Sequence, residues 1–147
     1  MDLFRSMAIS GSALTAERLR LDVIANNLAN ANTTRTAEGG PYRRQEVVFA
    51  PRGEATQWMF PGMDPSGTFR GQGVRVAGIT ADTSAFKRVY EPGHPDADAA
   101  GYVAYPNVNP VTEMVDMMAA TRAYEANVAA ISAAKVMATA ALDIGRA

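Results

Sequence analysis

The chain has no cysteine and a single histidine, His94, in 147 residues. The first absence excludes disulfides, thiolate metal sites and cysteine nucleophiles. The second leaves any Ser-His-Asp triad dependent on His94, which no nucleophile-elbow sequence accompanies. A basic excess is missing too. Fourteen Lys and Arg stand against 15 Asp and Glu, for a net charge of −1, so nothing is available to neutralise a phosphate backbone and nucleic-acid binding is not expected. No unbroken run of about 18 apolar residues occurs, so no membrane-spanning helix and no direct membrane insertion are expected. Residues 1–10 hold no apolar stretch of secretory-signal length, which predicts either a cytosolic chain or export without a cleaved signal. Aromatics are few: five Phe, five Tyr and one Trp. Hydrophobic residues make up 48%, but alanine occupies 28 of the 147 positions, and alanine buries little area.

Three zones follow one another. Residues 1–32 contain no Pro and one Gly, with Met7, Leu14, Leu21 and Leu28 seven residues apart and Ile24 and Ala31 three residues after the last two. That is an a/d seam, the pattern of a helix packed lengthwise on another. The pattern predicts a helix over 12–29, with Ser10-Gly11-Ser12 as the place where it begins or bends. Residues 33–109 hold seven of the eight prolines. Within them, strands are expected at Tyr42–Ala50, Gly73–Asp82, Phe86–Tyr90 and Gly101–Tyr105, and an exposed loop at 56–71. Residues 110–147 begin with Asn109 as N-cap and Pro110 as first helical residue. Neither Pro nor Gly recurs before Gly145, so one long helix is expected. Its heptad row is Met117, Tyr124, Ile131 and Ala138, with Met114, Thr121, Val128, Lys135 and Leu142 as the partner row.

The fold class expected is α+β: long N- and C-terminal helices packing as a helical hairpin or coiled coil, with a small β-rich middle domain and the termini together, far from the β unit. The two seams can close on each other or bury against other subunits. Two features favour subunits. Asn26, Asn27, Asn30 and Asn32 weaken the first helix as an isolated object, and Asn26 and Asn30 share a face from which they could set register. A simpler reading has Asn30 and Asn32 merely ending the helix. Eleven alanines between Ala119 and Ala141 also leave a two-helix core with little area to offset ~1–2 kcal/mol of entropy per ordered residue. Isolated monomers are therefore expected to hold their helices loosely.

Several motifs now bear on identity. Asp22–Asn32, reading DVIANNLANAN and followed by Thr33, looks like the N-terminal signature of bacterial flagellar rod and hook proteins. Thr121–Val128, reading TRAYEANV, resembles their C-terminal signature. Gly39–Phe49 (GGPYRRQEVVF), Val89–Asn109 (VYEPGHPDADAAGYVAYPNVN) and Glu113–Asn127 (EMVDMMAATRAYEAN) resemble the proximal-rod members of that family. The resemblance covers nearly the whole chain.

It implies a structural subunit of the flagellar basal body, with no enzymatic activity, no cofactor and no small-molecule substrate. It further implies export unfolded through the flagellar type III apparatus without a cleaved signal, and helical assembly in the periplasm with itself and other rod proteins. The terminal helices would surround the export channel, and the rod would transmit torque as a drive shaft. Carried over by position, Asn26, Asn27, Asn30, Asn32, Arg122, Tyr124, Glu125 and Asn127 become subunit-packing residues. The seam residues Leu14, Leu21, Ile24, Leu28, Met114, Met117, Val128, Ile131 and Leu142 join them. Arg122 and Glu125, three apart, are placed to pair. Trp58-Met59-Phe60 is read either as part of a variable loop or as a contact with a neighbouring subunit.

Other chemistry carries less weight. His94, Asp96 and Asp98 form H-x-D-x-D, but no second ligand cluster supports a metal. Gly71-Gln72-Gly73 precedes a strand and not a helix, unlike a phosphate loop. Asn32-Thr33-Thr34 is a short sequon of the kind that arises by chance. The first helix mixes Arg5, Arg18 and Arg20 with Glu17 and Asp22, so it lacks the basic face of a membrane-surface helix. Two alternatives to a proximal-rod subunit stand: another axial component of the same machine, and a small soluble enzyme.

Overall fold

A computed structural model describes residues 3–53 and 71–145. Helix α1 spans Leu3–Ala29 and helix α2 spans Pro110–Ile144. Between them lie β1 (Gln45–Pro51), β2 (Val74–Ala81), β3 (Lys87–Tyr90) and β4 (Tyr102–Tyr105). β1 pairs antiparallel with β2, with a register shift between Val48 and Phe49, and β3 pairs antiparallel with β4. Each pair is a separate two-stranded sheet.

α2 begins where α1 ends, and the two helices make the most extensive contact in the fold. They form an antiparallel hairpin, as the heptads predicted. α2 starts with Asn109 as N-cap, whose side chain accepts from the Val111 amide, and Pro110 follows at the first helical position. Capping removes an orphan donor, and proline loses nothing where no helical bond exists.

Three expectations are corrected. The Ser10-Gly11-Ser12 segment does not start α1, which runs unbroken back to Leu3. Ser12 Oγ donates to the Ile9 carbonyl at 2.7 Å and accepts from the Val74 amide at 3.0 Å, so the serine is a docking point for β2. The β unit is accordingly not remote from the termini. The β1–β2 hairpin lies along α1 from Gln45 beside Asn27 to Val74 beside Ser12, and Arg5 donates to the Gly71 carbonyl at 3.0 Å.

The third correction concerns the phase of α2. Met117, Tyr124, Ile131 and Ala138 are half-buried, as expected, but their partner row is Glu113, Ala120, Asn127 and Ala134. Glu113 and Ala120 are fully buried. Met114, Thr121, Val128, Lys135 and Leu142 lie one residue off that row and are exposed. Alanine wins these positions because it lets the two backbones approach closely. On α1, Ala16, Val23 and Ile24 are buried. Of the larger side chains that the sequence pattern assigned to the seam, Met117, Tyr124 and Ile131 are half-buried, while Met114, Val128 and Leu142 are exposed.

α2 also alters the membrane expectation. Although no unbroken apolar run exists, the helix is long and apolar enough to cross a membrane by length and composition, with mean hydropathy 1.3 over an 18-residue stretch. Its alanines average out the interspersed charges.

Candidate functional site

The two termini and the β unit meet at a polar junction centred on Asn27. This side chain is 1% exposed and uses all of its hydrogen-bonding capacity. Its amide donates to the Gln45 carbonyl at 2.8 Å and to Glu113 Oε2 at 3.0 Å. Its oxygen accepts from the Gln45 amide at 3.0 Å and from the Tyr42 hydroxyl at 2.9 Å. Two donors and two acceptors are what an Asn side chain offers, so Asn27 bonds the β1 backbone much as a neighbouring strand would.

Glu113, fully buried, also accepts from Arg44 Nε at 2.7 Å. The Arg44 guanidinium stands within 4.0 Å of Glu46, Asp82 and Asp116 as well. Its hydrogen bond to Glu113 holds Arg44 above its ordinary value, against the opposing effect of burial. Burial, followed by the Glu113 charge, pushes the Tyr42 hydroxyl up. The phenol therefore stays a donor to Asn27. Asn107, just ahead of α2, accepts from the Arg44 amide at 2.9 Å and donates to the Asp82 carbonyl and Ser84 Oγ. A cleft of about 210 Å³ opens beside this junction, lined by Arg20, Ile24, Arg44, Glu46 and Glu113 among others.

The four asparagines of the first motif thus separate. Asn27 is the only one of them that is buried. Asn30, half-buried, donates to the carbonyl and side-chain oxygen of the exposed Asn26, both at 2.9 Å. Asn32 is exposed in the turn after α1. Leu14, Leu21 and Leu28 are half-buried and Ile24 is buried. Asn127 is half-buried and donates to the Ala123 carbonyl at 2.8 Å. Arg122 and Glu125 are exposed and do not pair with each other within 4.0 Å. Each points away from the hairpin seam. Trp58, Met59 and Phe60 lie outside the described residues.

His94, Asp96 and Asp98 are used separately. Asp96 accepts from Thr34 at 2.8 Å and its amide bonds His94 Nδ1, while Asp98 accepts from Arg88, Ala100 and Tyr102. Among the described residues no group of three or more His, Asp and Glu is placed to hold a metal ion.

Sequence reasoning missed Tyr42, Arg44, Asn107 and Glu113. In the sequence Glu113 stands only as the first residue of a family-like motif, and Tyr42 only as the first residue of an expected strand. The available signal was a charged pair inside two of the quoted motifs, Arg44 in GGPYRRQEVVF and Glu113 in EMVDMM. Nothing in the sequence joins positions so far apart.

Comparison with known proteins shows the family of the chain. Residues 7–35 match a family model described as flagella basal body rod protein, and residues 99–144 match one described as flagellar basal body rod FlgEFG protein C-terminal. A Borreliella burgdorferi protein named flagellar basal-body rod protein FlgC is 52% identical, over 98% of both chains. The chain belongs to the FlgC family of flagellar basal-body rod proteins. Relatives of the same name in Bacillus subtilis and Salmonella typhimurium are 47% and 42% identical, each over 99% of this chain and all of the relative. The two family models cover α1 and α2, the elements that Asn27 and Glu113 join. As a family member, the chain is a structural axial subunit of the periplasmic flagellar rod, and it assembles with other rod proteins.

Proposed function

We propose that this subunit polymerises by burying the outward face of α2 against neighbouring axial subunits, while the Asn27–Glu113–Arg44 junction holds its own two helices in the pose that assembly needs. The observation that carries the reading is the exposure of large apolar side chains along α2. Val111, Val115, Met118, Val136, Leu142 and Ile144 are each more than half exposed. A patch of this extent on one helix marks a surface awaiting a partner. Lipid is a poorer occupant, because Arg122, Glu125 and Lys135 interrupt the same helix near its middle.

On this reading the proposed interface residues divide by role. Leu14, Leu21, Ile24, Leu28, Asn27, Met117, Tyr124, Asn127 and Ile131 build the hairpin. Asn26, Asn30, Asn32, Met114, Arg122, Glu125, Val128 and Leu142 face outward to neighbours. Travel through the flagellar export apparatus as an unfolded chain fits a fold with no cysteine to cross-link and a seam of alanines, which costs little to open.

The test is electron microscopy of basal bodies from cells lacking this chain. The expected result is loss of rod, hook and filament, restored by the wild-type chain. A variant carrying both Val115→Asp and Val136→Asp should fold but fail to restore them. Normal flagella without the chain would overturn the reading.

A further inference from the structure

Each helix carries a second heptad row on the side away from the shared seam. On α1 the row holds Phe4, Ala8, Thr15, Arg18, Asp22 and Ala25, all exposed. On α2 it holds Val111, Val115, Met118, Arg122, Glu125 and Val136, also all exposed. With the half-buried Gly11 added to the first row and the exposed Ala129 and Ser132 to the second, both rows alternate steps of four and three residues, the spacing that keeps a seam in line along a helix. Neither row has a partner within the described residues of the chain. A helix with seams on two opposite sides is built to stand between two neighbours.

The rows are complementary in charge and in size when laid antiparallel. Reading α1 forwards gives Arg18 then Asp22, and reading α2 backwards gives Glu125 then Arg122. Placing Arg18 opposite Glu125 sets Asp22 opposite Arg122. At 1.5 Å per residue on both helices, the same register brings Ala25 to Met118, Ala29 to Val115 and Ala8 to Val136. Met118, Val115 and Val136 thus each meet an alanine of α1, while Val111 lies beyond the end of α1 at Ala29. None of these four charges forms an ion pair within 4.0 Å among the described residues.

We infer that the outward row of α2 docks on the outward row of α1 of a second copy of this chain, in this antiparallel register. The inference rests on the axial-subunit reading above and deepens it by naming the partner and the pairing. Its geometry fits that reading for a reason of symmetry. Within one copy α1 and α2 are antiparallel, so an antiparallel α1–α2 contact between copies leaves all copies pointing the same way. The contact joins two different surfaces and is heterologous, so it propagates as a ring or helix and does not close as a two-fold dimer. An α2–α2 pairing would match Arg122 with Glu125 equally well, but it would oppose the two subunits and leave the α1 row uncovered.

The absence of cysteine makes the contact directly readable. In the variant with Ala25→Cys and Met118→Cys, the two thiols point away from each other within one chain and cannot bridge it. Basal bodies from cells lacking the natural chain and carrying this variant should, on oxidation, give a ladder of dimers and higher multiples of 15.6 kDa. Either single substitution alone should give none. Adding Glu125→Arg should abolish the ladder, and adding Arg18→Glu to that variant should restore it.

Rods and motility without a ladder would overturn the inference and leave the rod reading intact. Failure of the wild-type chain to restore rods would sink the rod reading itself. A ladder that persists with Glu125→Arg alone would show that Arg18 and Glu125 do not set the register, and would overturn the inference. If the cysteine variant builds no rods, the purified full-length chain oxidised at high concentration gives the reading, with Ala8→Cys and Val136→Cys as the second pair. No ladder from either pair would overturn the inference.

Discussion

Asn27 donates to Glu113 at 3.0 Å across 86 residues of chain, and neither side chain is open to solvent. Everything between them, including all four strands, is thereby closed into one loop whose neck is a hydrogen bond and an ion pair. The same asparagine stitches β1 to α1 through the Gln45 backbone. Loss of this one residue therefore loosens three elements at once.

Asn27→Ala leaves the Gln45 amide and one Glu113 oxygen buried without Asn27 as partner. It should lower stability by about 1–3 kcal/mol. Asn27→Asp should cost more at pH 7, because it sets a second carboxylate beside Glu113. One of the pair must then hold a proton, with a folded pKa raised above its unfolded value. The deficit should shrink as pH falls. Urea melts of both variants at pH 7 and pH 5 check this; equal stability at both pH values for Asn27→Asp would contradict it.

Arg44→Ala strips the buried Glu113 carboxylate of its guanidinium. Breaking a buried pair from one side typically costs about 3–5 kcal/mol. The double variant with Arg44→Leu and Glu113→Leu should recover much of that loss, since no uncompensated charge remains. Denaturation midpoints of the single and double variants measure it.

Ala120→Leu and Val115→Asp should separate folding from assembly. Ala120 is fully buried in the hairpin seam, and an added isobutyl group there should destabilise by about 1–3 kcal/mol through overpacking. Val115 is 54% exposed, so its replacement by Asp should shift stability by no more than about 0.5 kcal/mol. Rod formation should nevertheless fail with Val115→Asp, as electron micrographs of basal bodies would record.

Gly73 lies at φ +93, and a Cβ there would collide with Ser12 Oγ. Gly73→Ala should cost at least about 1 kcal/mol and weaken the docking of β2 on α1. Amide exchange at Val74, whose N–H is held by Ser12 Oγ, should rise more than exchange in β3 and β4.

The second hairpin should respond to pH at both extremes. The Tyr102 amide, followed by the Ala100 amide and Arg88, holds the Asp98 carboxyl below 3.8. Its contribution is present at neutral pH and is lost as pH falls through the folded value. Tyr105 is raised above 10.0, chiefly by donating to Glu91; its contribution is present below 10.0 and is lost as pH rises through the folded value. Asp98→Asn and Tyr105→Phe should each remove one of these dependences, as followed by NMR of the Val89 and Val103 amides.

Much of this protein was legible in one dimension. The long proline-free ends and their heptads required two helices. The Asn109-Pro110 pair located the start of the second, because capping chemistry is local. Strand positions came from β-branched runs broken by Gly and Pro, again a local signal. The family resemblance rested on contiguous motifs and needed no geometry. Tertiary structure alone decided the rest. Only packing selected Ala120 and Ala134 for the seam over Met114 and Val128, because interhelical distance depends on which side chains fit between two backbones and not on their hydrophobicity. Only folding singled out Asn27 from Asn26, Asn30 and Asn32, and joined it to Glu113 and Arg44. A hydrogen bond between residues far apart in sequence leaves no periodicity behind, and the worth of each polar group depends on whether the fold removes it from water.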